Sequence, residues 1–176
     1  STLPNKMKKA ANKRFVFKKY IKGVYLKKNM LMLKRKKEIY SSIISLGLFW
    51  SISQVVLAVF PEYVKSNLHI TNTIVVQGLM VLAVFGIVFG SILAAKFSKY
   101  YINTGLTSIG AFGIMIVVFL LPMTSSLVFL SILFMLFGVF SGFIIVPLNS
   151  KIQQLAPNVH LGTILAGNNF IQTAFM

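Results

Sequence analysis

The chain has 176 residues, of which 56% are hydrophobic and only 11% charged, with a mean hydropathy of +0.81. A soluble domain carries about a quarter charged residues, so this composition excludes an ordinary water-exposed globular surface. Eighteen Lys and Arg stand against two acids, for a net charge of +16, and the absence of Cys excludes disulfides and thiolate metal sites.

The charge is concentrated at one end. All but Lys65, Lys96, Lys99 and Lys151 of the basic residues precede residue 40. Residues 1–38 therefore form a basic segment, and it runs directly into an apolar stretch rather than into a folded soluble module. That context argues against nucleic acid as the partner. Within the segment, Phe17, Tyr20, Ile21, Val24, Tyr25 and Leu31 recur at mostly helical spacing among Lys18, Lys19, Lys22, Lys27 and Lys28. The pattern fits either a basic cytoplasmic linker or an interfacial amphipathic helix whose lysines reach anionic membrane lipids.

Residues 39–176 read as membrane spans. The first covers about 40–60, carries no charge and is expected to end at Pro61-Glu62. About 20 apolar residues rising 1.5 Å each cross a hydrocarbon core of roughly 30 Å. The second lies within 67–95, with Thr71-Asn72-Thr73 as its start because Asn and Thr oxygens cap free backbone amides. Lys96, Lys99 and the pair Tyr100-Tyr101 suit its water boundary. Residues 100–150 carry no charge, and Pro122-Met123-Thr124-Ser125-Ser126 divides them into spans at about 106–121 and 127–147. A polar loop is expected from Asn149 to His160. The apolar run from Leu161 to Met176 reads as the start of a fifth span. A carboxylate ending there would lie inside the bilayer at high cost, so the chain reads as a piece of a longer protein. The fold class is all-α and integral to the membrane, a polytopic bundle of about four complete helices plus the start of a fifth.

Alternation of four spans puts the N-terminal segment, Lys96, Lys99 and Lys151 on one side and Lys65 alone on the other. The positive-inside rule makes the first side cytoplasmic.

Small residues mark helix faces: Gly86, Gly90 and Ala94 on span two, Gly138 and Gly142 on span four. Such stripes let helix backbones approach closely. Gln54, Gln77, Asn168, Asn169 and Gln172 are amides at membrane depth, with Asn149 at a span end. They serve either as interhelical glue or, for Gln54, Asn168 and Asn169, as lining of a central cavity. Pro147 is either a plain helix stop or a softened end that acts as a gate. Catalytic groupings are missing: His69 and His160 fall on opposite sides, as do Glu38 and Glu62, and no span contains Asp, Glu, Lys, Arg or His. Triad, carboxylate-pair and metal chemistry find no support, and no cofactor is implied. Walls that are apolar with scattered amides suit an amphipathic, lipid-like substrate.

These features resemble the second half of a major facilitator superfamily transporter, a fold of two six-helix halves with a substrate site at the midplane between them. The run from Gly90 through Lys96 to Lys99 is similar to the second-half copy of the family's glycine-and-basic inner-loop motif, without its acid and most of its arginines. The stretches Phe49-Trp50-Ser51-Ile52-Ser53-Gln54 and Val146-Pro147-Leu148-Asn149-Ser150-Lys151, the latter followed by Gly162 to Phe170, resemble the bacterial lysophospholipid transporter branch, often fused to an acyltransferase. The likeness covers about 40–176. It implies a bacterial inner-membrane location, a missing N-terminal transporter half and a lysophospholipid substrate. It also implies Trp50, Gln54, Asn149, Asn168 and Asn169 as cavity-lining candidates. The rival expectations are a non-transporting membrane scaffold or assembly subunit and a facilitator of another small molecule.

Overall fold

The computed structural model describes residues 36–98, 103–157 and 161–176. The basic segment before Lys36, with the amphipathic pattern over Phe17 to Leu31, lies outside the described residues, as do Lys99, Tyr100, Tyr101 and His160. The described residues form α1 (Lys37–Leu68), α2 (Thr73–Phe97), α3 (Gly105–Leu120) closed by a 3-10 turn at Leu121–Met123, α4 (Leu127–Leu155) and α5 (Leu161–Phe175). They contain no strand. Four of these elements are long and apolar enough to cross a membrane, the third taken as Gly105–Met123. The 15 residues of α5 rise only about 22 Å, short of the roughly 30 Å core.

Local chemistry explains most boundaries. Asn72 caps α2 by accepting the Ile74 amide at 3.0 Å, and Pro122 sits in the turn that separates α3 from α4. Two expected ends are corrected. Pro61 does not end α1, which continues to Leu68, and Pro147 does not end α4, which continues to Leu155. Lys151, Gln153 and Gln154 thus lie on helix rather than in a loop. Each proline deletes one amide donor, to the carbonyl four residues earlier. Abandoning the helix would free several more groups where water is scarce, so the helix continues past a single missing bond.

α1 ends instead at His69, which takes a left-handed conformation (φ 55°) with its amide directed to the Val64 carbonyl. That conformation costs a residue with a Cβ about 1 kcal/mol or more. His69→Gly is therefore expected to raise stability by about 0.5–1 kcal/mol, read as a higher midpoint of thermal unfolding in detergent. A lower midpoint would mean that the imidazole makes a contact that outweighs the strain.

α4 is the hub: α1, α2 and α3 all pack on it, and α5 packs on α1. The core between α1 and α4 joins Ile43, Leu46, Phe60 and Val64 to Leu130, Leu133 and Phe134. The Phe60 and Phe134 rings lie 4.1 Å apart between centroids. Outward faces are apolar as well, with Phe85, Phe89 and Ile92 on α2 and Phe112 and Phe119 on α3 exposed. Lipid tails are the solvent such faces need. Buried hydroxyls close on their own helices: Ser42, Ser53 and Ser141 donate to the carbonyls of Glu38, Phe49 and Phe137 at 2.7–2.9 Å.

One seam and the contacts at the two ends of the bundle set the directions of the helices. The α2 seam on α4 aligns Gly86 with Met135 and Gly138, then Gly90 with Val139 and Gly142, so the two helices run parallel. At one end of the bundle, Lys36 Nζ donates to the Leu155 carbonyl at 3.1 Å, and Lys151 lies 3.7 Å from Glu38. The start of α1 and the end of α4 therefore share one face of the membrane. At the other end, Tyr63 Oη donates to the carbonyls of Leu121 and Thr124 at 3.3 and 3.1 Å, tying α1 to the α3–α4 turn.

Candidate functional site

At 1.5 Å per residue, Trp50 stands about 20 Å along α1, near the middle of a bilayer core. There α5 meets α1 through polar contacts as well as packing. Trp50 Nε1 donates to Gln172 Oε1 at 3.0 Å, and Gln172 Nε2 donates to Asn168 Oδ1 at 2.7 Å. Ser51 Oγ donates to the Phe175 carbonyl at 2.6 Å. Beside them, a Cβ on Gly47 would lie 3.0 Å from the Phe175 ring, so the missing side chain is what lets α5 sit this close.

The direction of this chain of bonds follows from chemistry. An indole N–H can only donate, so Gln172 must present its oxygen to Trp50 and its NH2 to Asn168. Asn168 must then present its oxygen to Gln172. The amide row is neutral, polarised and held in an apolar bundle, where each bond strengthens the next.

The sequence candidates separate into those in this row and those outside it. Trp50 and Asn168 belong to it, with Asn168 buried at 3% exposure. Gln54 and Asn169 are exposed, each on a helix that contributes to the row. Asn149 is half-buried on α4 and donates to the Ile145 carbonyl of its own helix at 3.0 Å. Gln172 is the residue that sequence reasoning left among general membrane-depth amides. Its helical spacing from Asn168, four residues, was the available signal. Gln77 is exposed on α2.

The glycine stripes meet each other. A Cβ on Gly86 would overlap the Met135 carbonyl, one on Gly90 the Val139 carbonyl, and one on Gly138 the Ala83 carbonyl. On Gly142 it would fall 2.5 Å from the Ser91 amide nitrogen. Ala94 continues the buried stripe at 0% exposure, and Lys96 follows in the last turn of α2. Two largely apolar grooves lie along α1, one of about 220 Å³ against the Leu121–Met123 turn and one of about 260 Å³ against α3 and Ile144 of α4, and none of the five cavity candidates lines them.

Among the described residues, no three His, Asp or Glu side chains converge as a metal site would require. The Lys151–Glu38 pair is largely solvated at its Glu38 end, at 69% side-chain exposure, and such a pair contributes little to stability.

A family model for the Major Facilitator Superfamily matches residues 3–176. The match reaches well into the basic segment, further than the likeness over 40–176 read from motifs. No curated protein and no solved structure matches the chain. With nearly its whole length matched, the chain belongs to the Major Facilitator Superfamily, a family of multi-pass membrane transporters.

Proposed function

We propose that this protein moves an amphipathic, lipid-like molecule across the membrane by alternating access, and that the molecule is a lysophospholipid crossing the bacterial inner membrane. The observation that carries the reading is the neutral amide–indole row at mid-membrane depth, set in walls that are otherwise apolar. Ions and sugars call for charges or dense hydroxyl partners, whereas an acyl chain needs apolar walls and a headgroup needs a few polar contacts. The likeness of the Phe49–Gln54 and Val146–Phe170 regions to lysophospholipid transporters supports the same reading.

In this reading a second six-helix half completes the substrate site, and a fused or associated acyltransferase consumes the delivered lysophospholipid. The bundle end that carries Lys36, Lys96 and Lys151 faces the cytoplasm, which places the basic N-terminal segment there too. Shared placement of the α1 start with the α4 end, and the parallel course of α2 and α4, support that orientation. The scaffold alternative is weakened by the seam, because both glycine stripes are used inside this chain and are not free for another protein.

The test is uptake of a labelled lysophospholipid by transporter-deficient bacteria that express the full reading frame. Gln54→Ala and Asn169→Ala, at exposed amides beside the row, are expected to cut uptake by about five-fold or more at unchanged membrane levels. No uptake by a well-inserted wild-type protein would sink the lysophospholipid assignment and leave a facilitator of another small molecule.

A further inference from the structure

Charge is sparse at the end of the bundle opposite Lys36, and what there is of it shares one cleft. Glu62 is the only acid after Glu38, and Lys65 is the only Lys or Arg between Lys37 and Lys96. At 1.5 Å per residue, Glu62 stands about 38 Å along α1 from its start, beyond a hydrocarbon core of roughly 30 Å and so in the headgroup layer. Residues three apart on a helix are neighbours on one face. Both side chains are exposed, and both line a cleft of about 270 Å³.

The cleft follows from how α1 ends. The left-handed turn at His69 folds the chain back, and the Ile70 amide reaches the Val64 carbonyl at 3.4 Å. Ile70 and Thr71 of the connection, with Thr73 and buried Val76 of α2, then line the cleft opposite Pro61 and Glu62. Its chemistry is mixed. Pro61, Ile70 and Val76 are apolar, and the threonine hydroxyls can donate and accept. Glu62 and Lys65 do not close on each other, since the ion pair among the described residues joins Lys151 to Glu38.

We propose that this cleft seats the zwitterionic headgroup of lysophosphatidylethanolamine at the non-cytoplasmic surface. Lys65 holds the phosphate oxygens, Glu62 accepts from the lipid's primary ammonium, and the apolar lining meets the glycerol and the first carbons of the acyl chain. One acid beside one base complements a headgroup with one charge of each sign. A headgroup that carries only the phosphate would bring Glu62 a like charge with no ammonium to offset it. The inference rests on the transport reading above. It adds a place where the substrate waits at the membrane surface and the headgroup that this place selects.

The test exposes the purified product of the full reading frame, in neutral detergent, to equal amounts of lysophosphatidylethanolamine and lysophosphatidylglycerol with the same acyl chain. Native mass spectrometry counts the lipids retained. The wild type is expected to prefer the ethanolamine form by about two- to five-fold, the scale of an exposed charge pair. Glu62→Gln is expected to abolish that preference, whereas Lys65→Gln weakens retention of both forms by about two- to five-fold. Size exclusion confirms that both variants are folded, and a purely structural role would not alter the ratio between two lipids.

Equal retention of the two lipids by the wild type, a preference for the glycerol form, an unchanged preference in Glu62→Gln, or full retention in Lys65→Gln would overturn the proposal. Uptake of lysophospholipid by cells alongside any of these results leaves the transport reading standing. A preference that Glu62→Gln abolishes, with no uptake in cells, keeps the headgroup seat and removes the transport reading.

Discussion

Gly138→Leu is expected to leave almost no folded protein in detergent extracts. The Cβ alone would overlap the Ala83 carbonyl and come within 2.7 Å of the Ile87 amide nitrogen. Both neighbours are backbone atoms of α2 and cannot rotate aside as a side-chain tip can. Relief requires the helices to separate along a seam that also includes Gly86, Gly90 and Gly142. Overpacking of flexible cores costs about 1–3 kcal/mol, and a rigid seam belongs at or above the top of that range. The cost is a large part of the roughly 5–15 kcal/mol that typical domains hold. Gly78→Ala is the matched control, since nothing lies within 4 Å of its would-be Cβ. It is expected to change the thermal midpoint little or to raise it, as alanine favours helix. Equal behaviour of the two variants in fluorescence-detected size exclusion would remove the seam as the determinant of folding.

Phe134→Ala is expected to cost about 3–5 kcal/mol, measured as a loss of thermal or denaturant stability in a fixed detergent. Phe134 is 1% exposed, lies on the hub helix and meets the Phe60 ring. Within a membrane the loss is one of packing, because lipid tails are as apolar as the phenyl ring. The cavity left beside Phe60 forfeits dispersion contacts that a stiff bundle cannot restore by collapse. Phe85→Ala removes the same ring from a lipid-facing site at 63% exposure and is expected to cost less than about 1 kcal/mol. Comparable losses at both positions would mean that α2 faces protein where it now faces outward.

Much of the fold could be read from sequence because its signals are local. Apolar runs of span length, the Asn72 cap and the break at Pro122 each depend on a few adjacent residues, and each marks an element in the structure. Pro61 and Pro147 misled because the rule that proline ends a helix balances one lost bond against water as an alternative partner, and lipid supplies none. The stripes on α2 and α4 announced close packing but not that each was the other's partner, since small residues carry no complementary label. Trp50 and Gln172 are 122 positions apart. Nothing in either neighbourhood encodes that meeting, which depends on α5 settling beside α1. Trp50 and Asn168 were visible through motif likeness, whereas the hydrogen bonds between them come only from three-dimensional placement.

The seam also has a consequence for synthesis. α2 leaves the ribosome with its notch of small residues open, and the stripe that closes it lies about 50 residues further along the chain. At translation rates of about 5–20 residues per second, α2 waits roughly 2–10 s for α4. During that wait α3 has arrived, but its own seat is also on α4, through Gly110 against the Phe140 carbonyl. Three inserted helices thus remain loosely associated, with lipid in the notch, until a single late arrival draws all of them together. Assembly of this bundle is timed by the emergence of α4, and a ribosomal pause placed just before it would lengthen the life of the most vulnerable intermediate.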